Sequence, residues 1–238
     1  MITVTEVLVV MKTMKTSWTS KCYDVWALFY DKTFGALVHK RHLAAMSHLR
    51  TEAGDVVLDL GVGTGMTLPE YADDITVIGA DLSAGMLAKA MDKKNEHKLD
   101  QVYLVQANAM FPPLAERSFD HIMIAHTISV VHEPNKLLLW AQRLVKPGGT
   151  IVLLNHFHAH NRVVAFFETL LNPIFMKIGW KSDLALKDCL KGTDLHVNYL
   201  FKTSWLDIWQ IAVLSPVTDA PPAAEQATEP PALHLAGD

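Results

Sequence analysis

Residues 56–65 form an apolar strand, Val56-Val57-Leu58-Asp59-Leu60, that runs into a turn with glycine at every second position, Gly61-Val62-Gly63-Thr64-Gly65. An acid, Asp81, closes the next apolar run, Val77-Ile78-Gly79-Ala80, twenty positions after Gly61. Glycines let the backbone turn sharply at a strand end and come close to a nucleoside-like ligand. Asp81 is then placed to accept hydrogen bonds from two ribose hydroxyls. A dinucleotide site wants G-x-G-x-x-G, but Met66 stands where its third glycine belongs. The spacing therefore points to a ligand with a ribose and no pyrophosphate.

Other classes are disfavoured by composition. A chain of 238 residues holds one α/β domain with a sizeable core and little more. Its net charge of −4 argues against a nucleic-acid binder that relies on a basic face. Cys22 and Cys189 lie far apart and form no metal or redox motif, which suits a reducing compartment. No apolar run approaches bilayer-spanning length, and Val7–Met11 is too short for a signal peptide. The expected location is the cytoplasm.

Charge is unevenly spread. Residues 1–50 carry seven basic side chains against three acids, whereas the chain from Pro216 onward has four acids and no Lys or Arg. That last stretch also holds five of the eleven prolines and cannot bury enough apolar surface to offset the entropy of ordering. The expected organisation is a leader over residues 1–21, a single domain over 22–215 and a disordered tail over 216–238, with the folded part ending near Val213.

Between the ends, strands are expected at 56–60, 76–80, 102–105, 119–125 and 150–155. Helices are expected at 22–31, 35–50, 66–72, 83–97, 135–145 and 160–178. Pro147-Gly148-Gly149 marks a turn before the fifth strand, and His196–Phe201 with Ser204–Val213 read as a closing antiparallel hairpin. The pattern predicts an α/β fold: a mostly parallel seven-stranded sheet with helices on both faces. Ligands of such sheets bind beyond the carboxyl ends of the strands.

The D-x-G-x-G-x-G run with its downstream acid resembles the S-adenosylmethionine site of class I, Rossmann-like methyltransferases. The resemblance implies S-adenosylmethionine as cofactor and S-adenosylhomocysteine as product. The residues it places around them are Asp59, Gly61, Val62, Gly63, Gly65, Asp81, Leu82, Met86, Asn108, Ala109 and His126. Met86 can lie against the adenine or simply pack its helix on the sheet. Asn108-Ala109 stands where many such enzymes have Asp-Ala, and an amide oxygen can still accept a hydrogen bond. His126-Thr127 follows the fourth strand, at the edge of the methyl-transfer site.

Further segments are similar to peripheral bacterial phosphatidylethanolamine N-methyltransferases. They are Tyr23-x-x-Trp26-Ala27-x-x-Tyr30-Asp31, His126–Val131, Leu144–Gly149 leading into Asn155-His156-Phe157, and Gly179-Trp180-Lys181-Ser182-Asp183. This likeness spans about residues 22 to 210. It implies catalytic roles for Tyr30, His126 and His156, and headgroup contacts from Tyr23, Tyr30, His156, Trp180 and Tyr199. Tyr23, Trp26 and Tyr30 share one helix face; that face either packs on the core or forms a wall for a cationic headgroup, since aromatic faces attract cations without needing an N–H donor. An imidazole near the acceptor can take the departing proton.

His158 and His160 lack the carboxylate or cysteine that would complete a metal site, so no metal is expected. Trp180 between Lys177 and Lys181, with the basic N-terminal part, suits reversible contact with an anionic membrane at its inner face. Two other readings share the cofactor motif: methylation of a quinone precursor or other small apolar acceptor, and a non-catalytic cofactor-binding protein. No nucleic-acid partner is expected, and sequence leaves the oligomeric state open.

Overall fold

The computed structural model describes residues 36–157, 184–203, 207 and 209–217. In chain order these residues form α1 (Ala36–Met46), β1 (Val56–Leu60), β2 (Thr76–Asp81), α2 (Ala84–His97), β3 (Val102–Gln106), β4 (Phe119–Ala125), α3 (Pro134–Leu144), β5 (Val145–His156), α4 (Leu186–Cys189), β6 (Leu195–Phe201) and β7 (Trp209–Pro216). They build one seven-stranded sheet in the order β3-β2-β1-β4-β5-β7-β6. The first five strands run parallel, and β7 pairs antiparallel with both β5 and β6. The expected architecture is therefore present.

Parallel strands buried on both faces need continuous apolar runs rather than alternation. Accordingly Ile151, Val152, Leu153 and Leu154 of β5 are all completely buried. One face packs Leu58, Ile122, Ile124, Ile151 and Leu153 against Leu137, Leu138, Ala141 and Leu144 of α3. The other packs Val57, Met123, Val152 and Leu154 against Ala45 of α1 and Ala90 of α2. Each fully buried aliphatic side chain contributes roughly 1.5–3 kcal/mol.

Three expectations shift. The helix expected at 66–72 is a single 3-10 turn, Leu68–Glu70, with Tyr71 already extended; there the chain leaves the helix and Tyr71 donates its hydroxyl back to Asp59. The Pro147-Gly148-Gly149 turn lies within β5: Phe119 pairs with Val145 and His121 with Thr150, so residues 146–149 bulge out. The second strand of the closing hairpin is described from Trp209 and runs to Pro216, past its expected end at Val213. The Asp207 carboxylate accepts the Trp209 N–H. Outside the described residues lie the expected helices 22–31 and 160–178, the leader, and the tail beyond Val217.

Candidate active site

The glycine turn is locked from both sides. Gly61 has φ +91°, and a Cβ there would stand 1.9 Å from Thr127 Oγ1, so no side chain fits. Gly65 has φ +70° and abuts Leu68 and Ala90. Gly63 differs: its φ is +57°, yet among the described residues nothing beyond its chain neighbours lies within 4 Å of a Cβ built on it. The turn thus presents open backbone at its middle, as close approach of a ligand requires.

Asp81 ends β2 beside this turn. One carboxylate oxygen accepts the Gly63 N–H at 2.9 Å and the other the Ser83 N–H at 2.8 Å. A carboxylate has about four lone-pair sites, so two ribose hydroxyls can add to these bonds. Ser83 caps α2 by accepting the Met86 N–H at 3.1 Å. Met86 is buried in the first turn of that helix. Leu82 is half-buried, and its carbonyl accepts from Gln106 Nε2.

After β3, Ala107 donates its N–H to the Asp81 carbonyl, which ties this loop to the ribose acid. Asn108 Oδ1 accepts the Met110 N–H at 3.0 Å. The amide oxygen expected to meet the adenine therefore also closes a local turn. Ala109 packs against the α3-side core.

Asp59 is 3% exposed. One of its oxygens accepts from Tyr71 Oη at 3.0 Å and Thr67 Oγ1 at 3.3 Å. Burial pushes its pKa up to about 6; the two hydroxyls hold it down in part, and the nearby Asp81 charge adds to the rise.

His126 sits just past β4 with φ +59°, its N–H donated to the Leu154 carbonyl. Its ring meets His42 of α1 edge-on at 5.2 Å and Trp209 at 6.4 Å. Burial, then the charges of His42 and Arg41, drop its pKa to about 3. With its pKa this far below the usual value, the imidazole is neutral in the folded chain and stands between the rings of His42 and Trp209. His156 ends β5 directly opposite Trp209, 3% exposed. Beside it Asn155 is completely buried and its Oδ1 has no hydrogen-bond partner among the described residues.

Beyond Trp209, Arg41 stacks its guanidinium 4.4 Å from the indole centroid. Arg41 Nε donates to both oxygens of Asp207, at 2.9 and 2.8 Å. Asp207 also accepts from the Thr203 hydroxyl. Burial raises the Asp207 pKa, but Arg41, Thr203 and the Trp209 N–H outweigh it and hold the carboxylate below its usual range.

The expected cofactor residues therefore line the carboxyl ends of β1 to β4, and His156 joins them at β5. Tyr199 does not: it pairs with Val213 in mid-strand on β6 and is 57% exposed. Tyr23, Tyr30 and Trp180 lie outside the described residues. Sequence reasoning passed over Tyr71, Arg41, His42, Asp207 and Trp209. For Asp207 a signal existed, since it is a lone acid in the apolar run Trp205-Leu206-Asp207-Ile208-Trp209. Among the described residues, no group of His, Cys, Asp and Glu could hold a metal, and no helix is long and apolar enough to cross a membrane.

Comparison with known proteins agrees with this geometry. A methyltransferase-domain family model matches residues 58–153. A phosphatidylethanolamine N-methyltransferase of Cereibacter sphaeroides is 33% identical over 179 residues, covering 75% of this chain and 87% of the relative. A demethylmenaquinone methyltransferase of Oceanobacillus iheyensis is 32% identical over 165 residues, covering 64% and 69%. In fold, the chain is similar to phosphoethanolamine N-methyltransferase 2 of Haemonchus contortus bound to S-adenosyl-L-methionine: TM-score 0.63, 18% identity, 82% of this chain and 57% of that one. With a glycine turn open at Gly63, an acid at Asp81 bonded to that turn and these relatives, the chain belongs to the class I S-adenosylmethionine-dependent methyltransferases.

Proposed function

We propose that this methyltransferase N-methylates phosphatidylethanolamine, stepwise towards phosphatidylcholine, at a membrane surface. The observation that carries the reading is the ring cluster at the carboxyl ends of β4 and β5. His42, His126 and Trp209 stand together there, and Trp209 already holds a cation, Arg41, over its face. An acceptor that ends as a quaternary ammonium needs such faces, because its last form has no N–H to donate; each contact is worth roughly 0.5–2 kcal/mol. A quinone precursor methylated at carbon needs only an apolar wall. The extent of the likeness, over 87% of the Cereibacter sphaeroides relative, supports the same choice.

The cofactor supplies an electrophilic methyl group, and the chain's work is to align a nitrogen lone pair with it. Asp81 fixes the ribose, the turn at Gly63 admits the cofactor's backbone-facing side, and the buried ring wall excludes water. A water-poor site favours the neutral amine over the ammonium. His156, Tyr23, Tyr30 and Trp180 are proposed headgroup contacts, with Trp180 and the basic N-terminal residues meeting anionic lipid from the cytoplasmic side.

Methyl-labelled S-adenosylmethionine offered with phosphatidylethanolamine vesicles, and separately with a demethylated menaquinone, decides between the readings. Label is expected in mono-, di- and trimethylated phospholipid and not in the quinone. Label in the quinone alone would overturn the proposal.

A further inference from the structure

Asp59 is a buried acid next to a second acid, Asp81, at the ends of adjacent strands, an arrangement that charge repulsion and desolvation both oppose. The structure holds the first carboxylate with two hydroxyls, from Tyr71 at 3.0 Å and Thr67 at 3.3 Å. Both donors flank the short 3-10 turn that follows the glycines, Thr67 at its start and Tyr71, already extended, at its end. Tyr71 is itself buried, and its phenol is pushed well above its ordinary pKa by burial and by the Asp59 charge, so it remains a donor throughout the working pH range.

The cofactor carries two positive groups at its methionine end, the sulfonium and the α-ammonium. An ionised carboxylate at the end of β1 attracts them, and a protonated one does not. We propose that Tyr71 is a positioning residue for the cofactor: with Thr67, its hydroxyl keeps the buried Asp59 carboxylate ionised, so that Asp59 can face the cationic methionine end. The inference rests on the assignment of S-adenosylmethionine to this edge of the sheet. Around Asp59 the groups that act on its charge are Tyr71 and Thr67 from the turn and Asp81 from β2. Removing a hydroxyl leaves burial and Asp81 less opposed, and the acid then takes up its proton at a higher pH.

Calorimetric titration of S-adenosylmethionine between pH 5 and 7.5 tests this, below the range where an α-amino group of pKa about 7.7–8.0 loses its proton. Wild type should lose affinity as pH falls through about 6, where Asp59 protonates. Tyr71→Phe, which keeps the ring, should move that midpoint upward by about one unit, so that weakened binding at neutral pH recovers at the alkaline end. Asp59→Asn should bind weakly with no midpoint. A merely packing role for Tyr71 would lower the melting temperature and leave the midpoint in place, which would overturn the proposal. So would a wild-type midpoint persisting in Asp59→Asn. Should Tyr71→Phe fail to fold, Thr67→Val removes the other donor and must shift the midpoint in the same direction. Wild type failing to bind the cofactor at any pH would instead remove the site assignment itself.

Discussion

The two ends of the parallel strands treat charge in opposite ways. At the amino end, Asp55 and Asp120 each meet partners of opposite charge. Asp120 accepts the Val56 N–H and the Lys146 ammonium at 2.7–2.9 Å, and Asp55 accepts the Glu52 N–H and pairs with His121 at 3.1 Å. Burial raises the Asp120 pKa, yet Lys146 and the backbone N–H more than offset it and leave it lowered. At the carboxyl end, Asp59 lies near Asp81 and is raised, and His126 lies near His42 and Arg41 and is lowered. One end is closed by complementary charge. The other sets two acids, Asp59 and Asp81, side by side, an arrangement that a cationic group of a ligand would relieve.

Substitutions at the two ends should therefore fail differently. The largest effect is expected from Gly61→Ala, where a φ of +91° combines with a Cβ 1.9 Å from Thr127 Oγ1. About 3 kcal/mol or more of stability should be lost, together with cofactor binding, measurable by denaturant melts and calorimetry. Next comes Asp120→Ala, which strands the Val56 N–H and Lys146. It should cost about 1–3 kcal/mol in the same melts while leaving cofactor affinity within a factor of two or so. A large change in affinity there would break the contrast between the ends.

The pH dependence sharpens it further. His126 stays neutral in the folded chain down to about pH 3, whereas an unfolded histidine takes its proton near 6.5. The unfolded state then binds more protons, so this residue's contribution to stability falls as pH drops below about 6.5, by up to ~1.4 kcal/mol per unit. Asp59 has the reverse sign: its folded pKa of about 6 exceeds that of an unfolded Asp, so its contribution falls as pH rises from about 4 to 6. In wild type the two slopes oppose each other over that window. His126→Asn, whose side chain tolerates the left-handed backbone, should gain on wild type steadily as pH is lowered. Parallel melting curves for the two would contradict this assignment.

The smallest effect concerns docking. Trp180→Ala should weaken co-sedimentation with anionic vesicles a few-fold, more than it weakens cofactor binding, and added salt should weaken wild type likewise. Equal sedimentation with neutral and anionic vesicles at low salt would count against electrostatic docking and leave the methyltransferase assignment standing.

What could be read in the sequence divides along the same line of local against distant information. The strands at Val56–Leu60 and Phe119–Ala125, and the cofactor turn with Asp81, were legible because periodicity, glycine and spacing act within a few residues. The Leu68–Glu70 turn differs from the expected helix because the local stretch suits a helix, while Tyr71 leaves it to bond Asp59, a contact the local pattern does not carry. The cluster around Trp209 was not legible at all. Arg41 and Asp207 are 166 positions apart, and only the fold brings the helix before β1 against the hairpin after β5. Tyr71 escaped notice for a related reason: its role comes from bending back onto Asp59, twelve positions earlier, through a turn that was expected to be helix.

The central claim is that S-adenosylmethionine lies over the glycine turn with its ribose on Asp81, and calorimetric titration of Asp81→Ala tests it most directly. The carboxylate makes charged hydrogen bonds worth roughly 1.5–3 kcal/mol each, so the variant should stay folded and lose affinity by about a hundredfold or more. Wild-type affinity in a folded Asp81→Ala chain would contradict the placement of the cofactor.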